Sequence, residues 1–366
     1  VQPRERVLRA LAHKEVDTIP HWDDFSSAEA EILFLGEKYR KSSWLEKKIF
    51  ISNLLDTDIV WVPLVSYGFS FEDTQIFCET IYEGDDYALI KDPFGGLHYC
   101  RKRPYFTRTL INPIKEKGDL EKLEKVDVER FEAKIKSFSE NIQKLHDMDY
   151  FILVEIKGPF AATWMFLRGL YPFLIDVIKD TDFAKRLVER SFKPIMEIVN
   201  IATKNWSIDG VRVCDDLGDQ KNPFFHIEKY RTLFKPWHSK IVEMLHEKGV
   251  KVFLHSHGNV MSFFQDFIEA GFDCIDPLDP TDNMDLFKLK ETYGQKVALM
   301  GGVSKNIGMM STEEIVDHLR DRLLTGGPTG YILHCAGGIP PEMSLEKFNV
   351  YINTIKKYRN KQGRHI

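Results

Sequence analysis

The sequence predicts a single α/β barrel of the (β/α)8 TIM type with an elaborated N-terminal segment. Three observations predict it. After about residue 150, short apolar runs alternate with longer amphipathic stretches, the pattern of βα units that feed a parallel sheet. The apolar runs repeatedly end in polar or Gly-rich residues, as in Asp215-Asp216-Leu217-Gly218, His255-Ser256-His257-Gly258 and Cys335-Ala336-Gly337-Gly338. The 366 residues, 43% of them hydrophobic, carry no Gly/Ser linker, low-complexity tract or short repeat, so one large domain over 1–366 is expected.

The first 150 residues are the less regular part. A helix is expected to start at Pro3 (Arg4 to Ala12), followed by a strand at Asp58-Val62, a β-rich piece around Tyr82-Tyr99 and a charged helix near Asp119-Lys125. The strands expected next are Phe151-Glu155, Gly210-Cys214, Lys251-Leu254, Asp273-Asp276, Val297-Met300 and Tyr331-His334. One helical stretch between them covers Glu228-Lys248, where Tyr230, Leu233, Phe234, Trp237, Ile241, Met244 and Leu245 recur at three- and four-residue spacing. In a parallel barrel the carboxyl ends of the strands open on one face, so groups remote in sequence converge there.

Composition excludes several partners. The 50 basic and 55 acidic residues are mixed along the chain, so no basic stripe exists to neutralise a nucleic-acid backbone. No charged-then-apolar segment opens the chain and no apolar run approaches the roughly 18 residues of a membrane span, so a cytoplasmic protein is expected. Five scattered cysteines argue for a reducing compartment rather than a disulfide framework.

The chemistry is expected at strand ends. If the run at Lys251-Leu254 continues as a strand, His255 and His257 point to one side of it. Cys335, closing another strand, could complete a His/His/Cys set for zinc, which takes nitrogen and sulfur together at an open site. Taken singly, each residue reads better as a polar cap or, for Cys335, a small hydrophobe; together, a strand-end H-x-H and a strand-end H-C in one barrel favour the metal. Glu155 and Asp276 are the candidate carboxylate ligands, because a lone charge at the end of an apolar strand is costly; a salt bridge would satisfy either equally. Of the adjacent Asp215 and Asp216 only one can face the barrel axis, where it would orient a histidine or act as a general base. Aromatic residues near strand ends, Trp22, Phe25, Trp61, Tyr67, Phe69, Trp164 and Phe166, supply candidates for a flat apolar pocket, although most belong to the core.

The opening Arg4-Glu5-Arg6-Val7-Leu8-Arg9-Ala10-Leu11, the DDLG turn, Leu254-His255-Ser256-His257-Gly258-Asn259, the E-A-G-F-D run at Glu269-Asp273 and Gly301-Gly302-Val303 resemble the uroporphyrinogen decarboxylase superfamily. The resemblance covers nearly the whole chain and implies the (β/α)8 barrel. Within that superfamily, zinc-dependent corrinoid methyltransferases carry H-x-C and a later second Cys; here His255, His257 and Cys335 match, with imidazole in place of the first thiolate. The resemblance implies Zn2+, a cobalamin (corrinoid) carried on a separate partner protein, and transfer of a methyl group from a small methylated donor, for which the abundant aromatic residues favour an aryl methyl ether; a homodimer is compatible with it. The exchange of thiolate for imidazole leaves more positive charge on zinc and suits an oxygen leaving group. The superfamily's decarboxylases hold substrate carboxylates with N-terminal arginines, whereas this chain has no Arg between Arg9 and Arg40 and carries Asp23-Asp24 there. A metal-free decarboxylase of a porphyrinogen-like acid and a non-catalytic small-molecule-binding barrel are the alternatives.

Overall fold

The computed structural model describes residues 1–36, 42–66 and 76–360. Seven parallel strands, β1 (Ile59–Val65), β6 (Phe151–Lys157), β7 (Gly210–Cys214), β8 (Lys251–His255), β9 (Cys274–Asp276), β10 (Ala298–Val303) and β11 (Tyr331–Cys335), lie side by side in that order. Between β1 and β6 the chain forms a separate antiparallel sheet of β2 (Glu79–Glu83), β3 (Tyr87–Lys91), β4 (Leu97–Arg101) and β5 (Phe106–Ile111).

The curled sheet is closed by a stave that sequence patterning does not reveal. Residues 20–25 run parallel to β11: Leu333 donates its N–H to the Pro20 carbonyl at 2.8 Å and Trp22 donates to the Leu333 carbonyl at 3.0 Å. On the other edge Asp58, at the entry to β1, donates to the His21 carbonyl at 2.7 Å. The Asp58 carboxylate, paired with both Arg6 and Arg359, pins this closure. A TIM-type barrel results.

Each strand is buried on both faces, which is why it reads as a continuous apolar run rather than an alternating one. Lumen and outer layer nonetheless alternate along it. Ile59, Trp61, Phe151, Leu153, Phe253, Cys274, Ala298, Met300 and Ile332 form one cluster inside the barrel. Their neighbours Val60, Val154, Val211, Leu254, Ile275, Leu299 and Leu333 pack outward against the helices. The helix Pro3–Leu11 starts on its proline, where a missing N–H costs nothing, and adds Val7, Ala10 and Leu11 to the inner cluster.

The stretch expected as one helix over Glu228-Lys248 is two, Ile227–Leu233 and Lys235–His246. Pro236 sits in the first turn of the second, where it has no N–H to give to a preceding helix and its ring clashes with continuation. Among the described residues no single helix is long and apolar enough to cross a membrane; the bent pair Pro159–Arg168 and Leu170–Lys179 reaches that composition only across a 117° break.

Candidate functional site

Continuing the in-and-out alternation to the carboxyl ends of the strands places the site. Lumen-facing Leu153, Gly210, Phe253, Cys274 and Ile332 are followed two residues on by Glu155, Arg212, His255, Asp276 and His334. Apolar layers therefore give way to a charged layer just below the mouth.

Arg212 is its centre and is buried. Its guanidinium donates to Glu155 Oε2 at 2.7 Å, to Asp276 Oδ2 at 2.5 and 3.0 Å, and approaches His255 Nδ1 at 2.5 Å. Its Cζ lies 5.0 Å from the Trp22 ring, whose other neighbour is the stacked imidazole of His334 at 4.4 Å. Trp61 donates its indole N–H to Glu155 at 3.0 Å, and Lys48 sits 4.8 Å over the Trp61 ring. Burial alone would raise the Glu155 pKa, but Lys157 and Arg212 outweigh it and hold the carboxyl at about 2. Asp276, equally buried, is likewise held well below the usual carboxylate range by Arg212 and His255.

His255 shares this layer. Asp276 Oδ2 lies 3.0 Å from its Nδ1, but the shorter approach is that of the Arg212 N–H, which needs a lone pair on Nδ1. That assigns the ring proton to Nε2, which faces the half-exposed Asp216 carboxylate at 3.6 Å. Burial and the nearby guanidinium both lower the His255 pKa, so the ring is neutral.

The adjacent aspartates part company. Asp215 points into the outer layer, accepting from the Ala161 N–H at 2.6 Å and meeting His238 Nε2 at 2.9 Å, with Tyr230 OH 3.0 Å beyond. Asp216 faces the mouth and accepts the His257 N–H at 3.0 Å. Two glycines set the loops. Gly258, at φ +88°, packs so tightly on the Gly218 carbonyl that a Cβ would lie 2.2 Å from it, which ties the HGN loop to the DDLG turn. Gly301, at φ +120°, does the same against the Pro277 carbonyl and fixes the loop after β9.

That loop carries residues the sequence reading missed. Asp279 and Asp282 converge with His257: one ligand atom from each lies within 4.8 Å of the others. His257 Nδ1 is 3.5 Å from Asp282 Oδ2, which also accepts the Gly258 N–H at 3.0 Å. Lys305, on the loop after β10, reaches Asp282 Oδ1 at 3.0 Å and Asp279 Oδ2 at 3.3 Å. Among the described residues this is the group whose donors lie close enough to hold a metal ion after small side-chain shifts. The spacing D-x-x-D directly after a strand was the available signal.

The structure thus brings His255 and His257 together, their rings 4.9 Å apart and perpendicular, but gives them different company. Cys335, expected to join them, does not. It follows Tyr331 and Leu333 on the outward alternate, its thiol on the carbonyls of Gly338 at 3.5 Å and Ser304 at 3.8 Å, and burial pushes that thiol's pKa well up. Its neighbour His334 faces inward instead. Asp276 and Glu155, expected as metal ligands, are engaged by Arg212 and lie outside the converging group. Of the expected pocket aromatics, Trp22 and Trp61 are in the lumen. Trp164, Phe25 and Phe166 pack into the outer core, Trp164 on the π-helical turn Thr163–Arg168. Tyr67 and Phe69 lie outside the described residues.

The donors present fit a divalent ion: one imidazole nitrogen and two carboxylates, with Asp279 Oδ2 buried and in no hydrogen bond. A methyltransferase from Methanosarcina mazei superposes with a TM-score of 0.68 over 98% of this chain and 99% of its own, at 17% identity. A B12-independent methionine synthase from Shewanella sp. W3-18-1, in complex with selenomethionine, gives a TM-score of 0.48 at 14% identity, over 93% of this chain and 94% of its own. No curated protein matches the sequence. The profile of the uroporphyrinogen decarboxylase (URO-D) family matches residues 101–358, and the chain belongs to that family.

Proposed function

We propose that this protein is a metal-dependent methyltransferase that moves a methyl group from an O-methyl donor, an aryl methyl ether, to the cobalt of a corrinoid held on a separate protein. The observation that carries the reading is the His257, Asp279 and Asp282 group at the barrel mouth, above a lumen whose only buried guanidinium among the described residues, besides that of Arg359 at the opposite end, is already neutralised by two carboxylates. A porphyrinogen-like polycarboxylate would need uncompensated cations, and Arg212 offers none. The fold is one that a methyltransferase from Methanosarcina mazei also uses.

A divalent ion such as zinc, when bound at His257, supplies Lewis acidity to the oxygen that bears the methyl group. The chain's own residues do the rest. His255, fixed through Nδ1 by Arg212, presents its Nε2–H at the mouth, beside Asp216, as a hydrogen-bond donor to the departing oxygen. Trp22, held against Arg212 and His334, and Trp61, bonded to Glu155, brace the charged layer beneath the mouth. Asp216 holds the His257 backbone in register.

The test is zinc quantification of the purified protein combined with a screen of methoxylated aromatics, methanol and methylamines, with a reduced corrinoid protein as acceptor. Bound zinc and methyl-cobalt formation from a methoxy aromatic are expected. Bound zinc with no transfer from any donor would reject the reaction.

A further inference from the structure

We infer that the mouth holds one divalent cation on His257, Asp279 and Asp282, and that the Lys305 ammonium is a built-in cation which that ion displaces. This rests on the metal-dependent reading above and goes further, naming the ligands and what competes for them.

Metal–nitrogen and metal–oxygen bonds of about 2.0–2.2 Å keep the donors of one ion within about 4.4 Å of each other. The three donors here lie within 4.8 Å, so only small side-chain shifts separate them from that geometry. Their charge also asks for a cation. Asp279 and Asp282 are 0% and 3% exposed, and Lys305 is the one permanent positive charge against their two negative ones, with His257 3.5 Å from Asp282. Buried charges of this kind are paired or coordinate metals. Asp282 is fully used, by Gly258, His257 and Lys305. Asp279 is not: its Oδ1 accepts the Thr281 N–H at 3.0 Å, while Oδ2, buried, faces Lys305 without forming a hydrogen bond.

Mobility differs in the same sense. Both carboxylates are locked by the loop after β9, which Gly301 holds against Pro277. The Lys305 side chain is 35% exposed, with open solvent to swing into. One imidazole and two carboxylates suit a borderline or hard divalent ion such as zinc or manganese rather than a thiolate-seeking one. Cys335, on the outward alternate of β11, has no part in this set.

The experiment is a zinc titration of the full chain against a chromophoric chelator, with thermal melts of every variant. Asp279→Asn and Asp282→Asn should each weaken zinc about tenfold or more. Lys305→Met should tighten it roughly tenfold, because a like charge leaves the site. Cys335→Ala should bind as wild type does. Unchanged affinity in Asp279→Asn, or loss of zinc in Cys335→Ala, overturns the ligand assignment and leaves a metal-dependent enzyme standing. If the aspartate variants fold poorly, Lys305→Met decides: affinity at or below wild type overturns the proposal. A wild-type chain that takes up no zinc overturns both this proposal and the metal-dependent function.

Discussion

The charged layer inside the barrel and the charged group at its mouth, a few residues further along the same strands, solve the same electrostatic problem differently. In the lumen Arg212 bonds Glu155, Asp276 and His255 at once and stacks on Trp22, while both carboxylates find second partners in Trp61 and His255. At the mouth His257 is 31% exposed, Lys305 35%, and Asp279 keeps a buried oxygen without a hydrogen bond. A closed network of buried charge fixes shape, and its carboxylates have no spare valence for a ligand. An unfinished one costs stability and is where a ligand would complete the pairing.

Variants in the Arg212–carboxylate network should therefore damage mainly the fold, and variants at the mouth mainly function. Arg212→Met should have the largest effect on the fold, about 3–5 kcal/mol in urea unfolding, because it strands two buried carboxylates; a loss below about 1 kcal/mol would break the comparison. Next comes pH. Glu155 is held at about 2 in the folded chain against an ordinary 4.5, so the folded state prefers its ionised form. Its contribution, about 3 kcal/mol, is complete above the unfolded value and is lost as pH falls from there through about 2. Over that window wild type should lose stability more steeply than Glu155→Gln. Trp61→Phe removes one hydrogen bond to a carboxylate that keeps Arg212, and should cost about 1 kcal/mol in thermal unfolding. His257→Ala should change stability least, within about 1 kcal/mol, yet abolish methyl transfer in the corrinoid assay.

Sequence patterning reveals the seven sheet strands because each is a short apolar run ending in polar or glycine residues. It locates His255 and Asp276 at strand ends for the same reason. It does not reveal which alternate of a strand faces the lumen. In Tyr331-Ile332-Leu333-His334-Cys335 both faces are apolar because helices cover one and the lumen the other, so nothing in the residue types separates an inward His334 from an outward Cys335. Arg212, alone among apolar neighbours in Gly-Val-Arg-Val-Cys, carries the partner that Glu155 and Asp276 required, yet pairing across strands appears only once β6, β7 and β9 are side by side. The closing stave at 20–25 is hidden for another reason. His21, Asp23 and Asp24 interrupt its hydrophobicity, and buried Asp23, which holds the His21 ring, is itself satisfied by partners more than 300 residues away, Tyr351 and the Cys335 N–H. Asp279 and Asp282 read as an acidic loop until the β9 turn folds them over His257.

The most direct test is an anomalous-diffraction map at the zinc edge from crystals grown with zinc. The expected result is a peak at the mouth within bonding distance of His257, Asp279 and Asp282, with the Lys305 side chain turned to solvent and the Arg212 layer unchanged. A peak on Cys335, or inside the lumen among Glu155, His255 and Asp276, would contradict it.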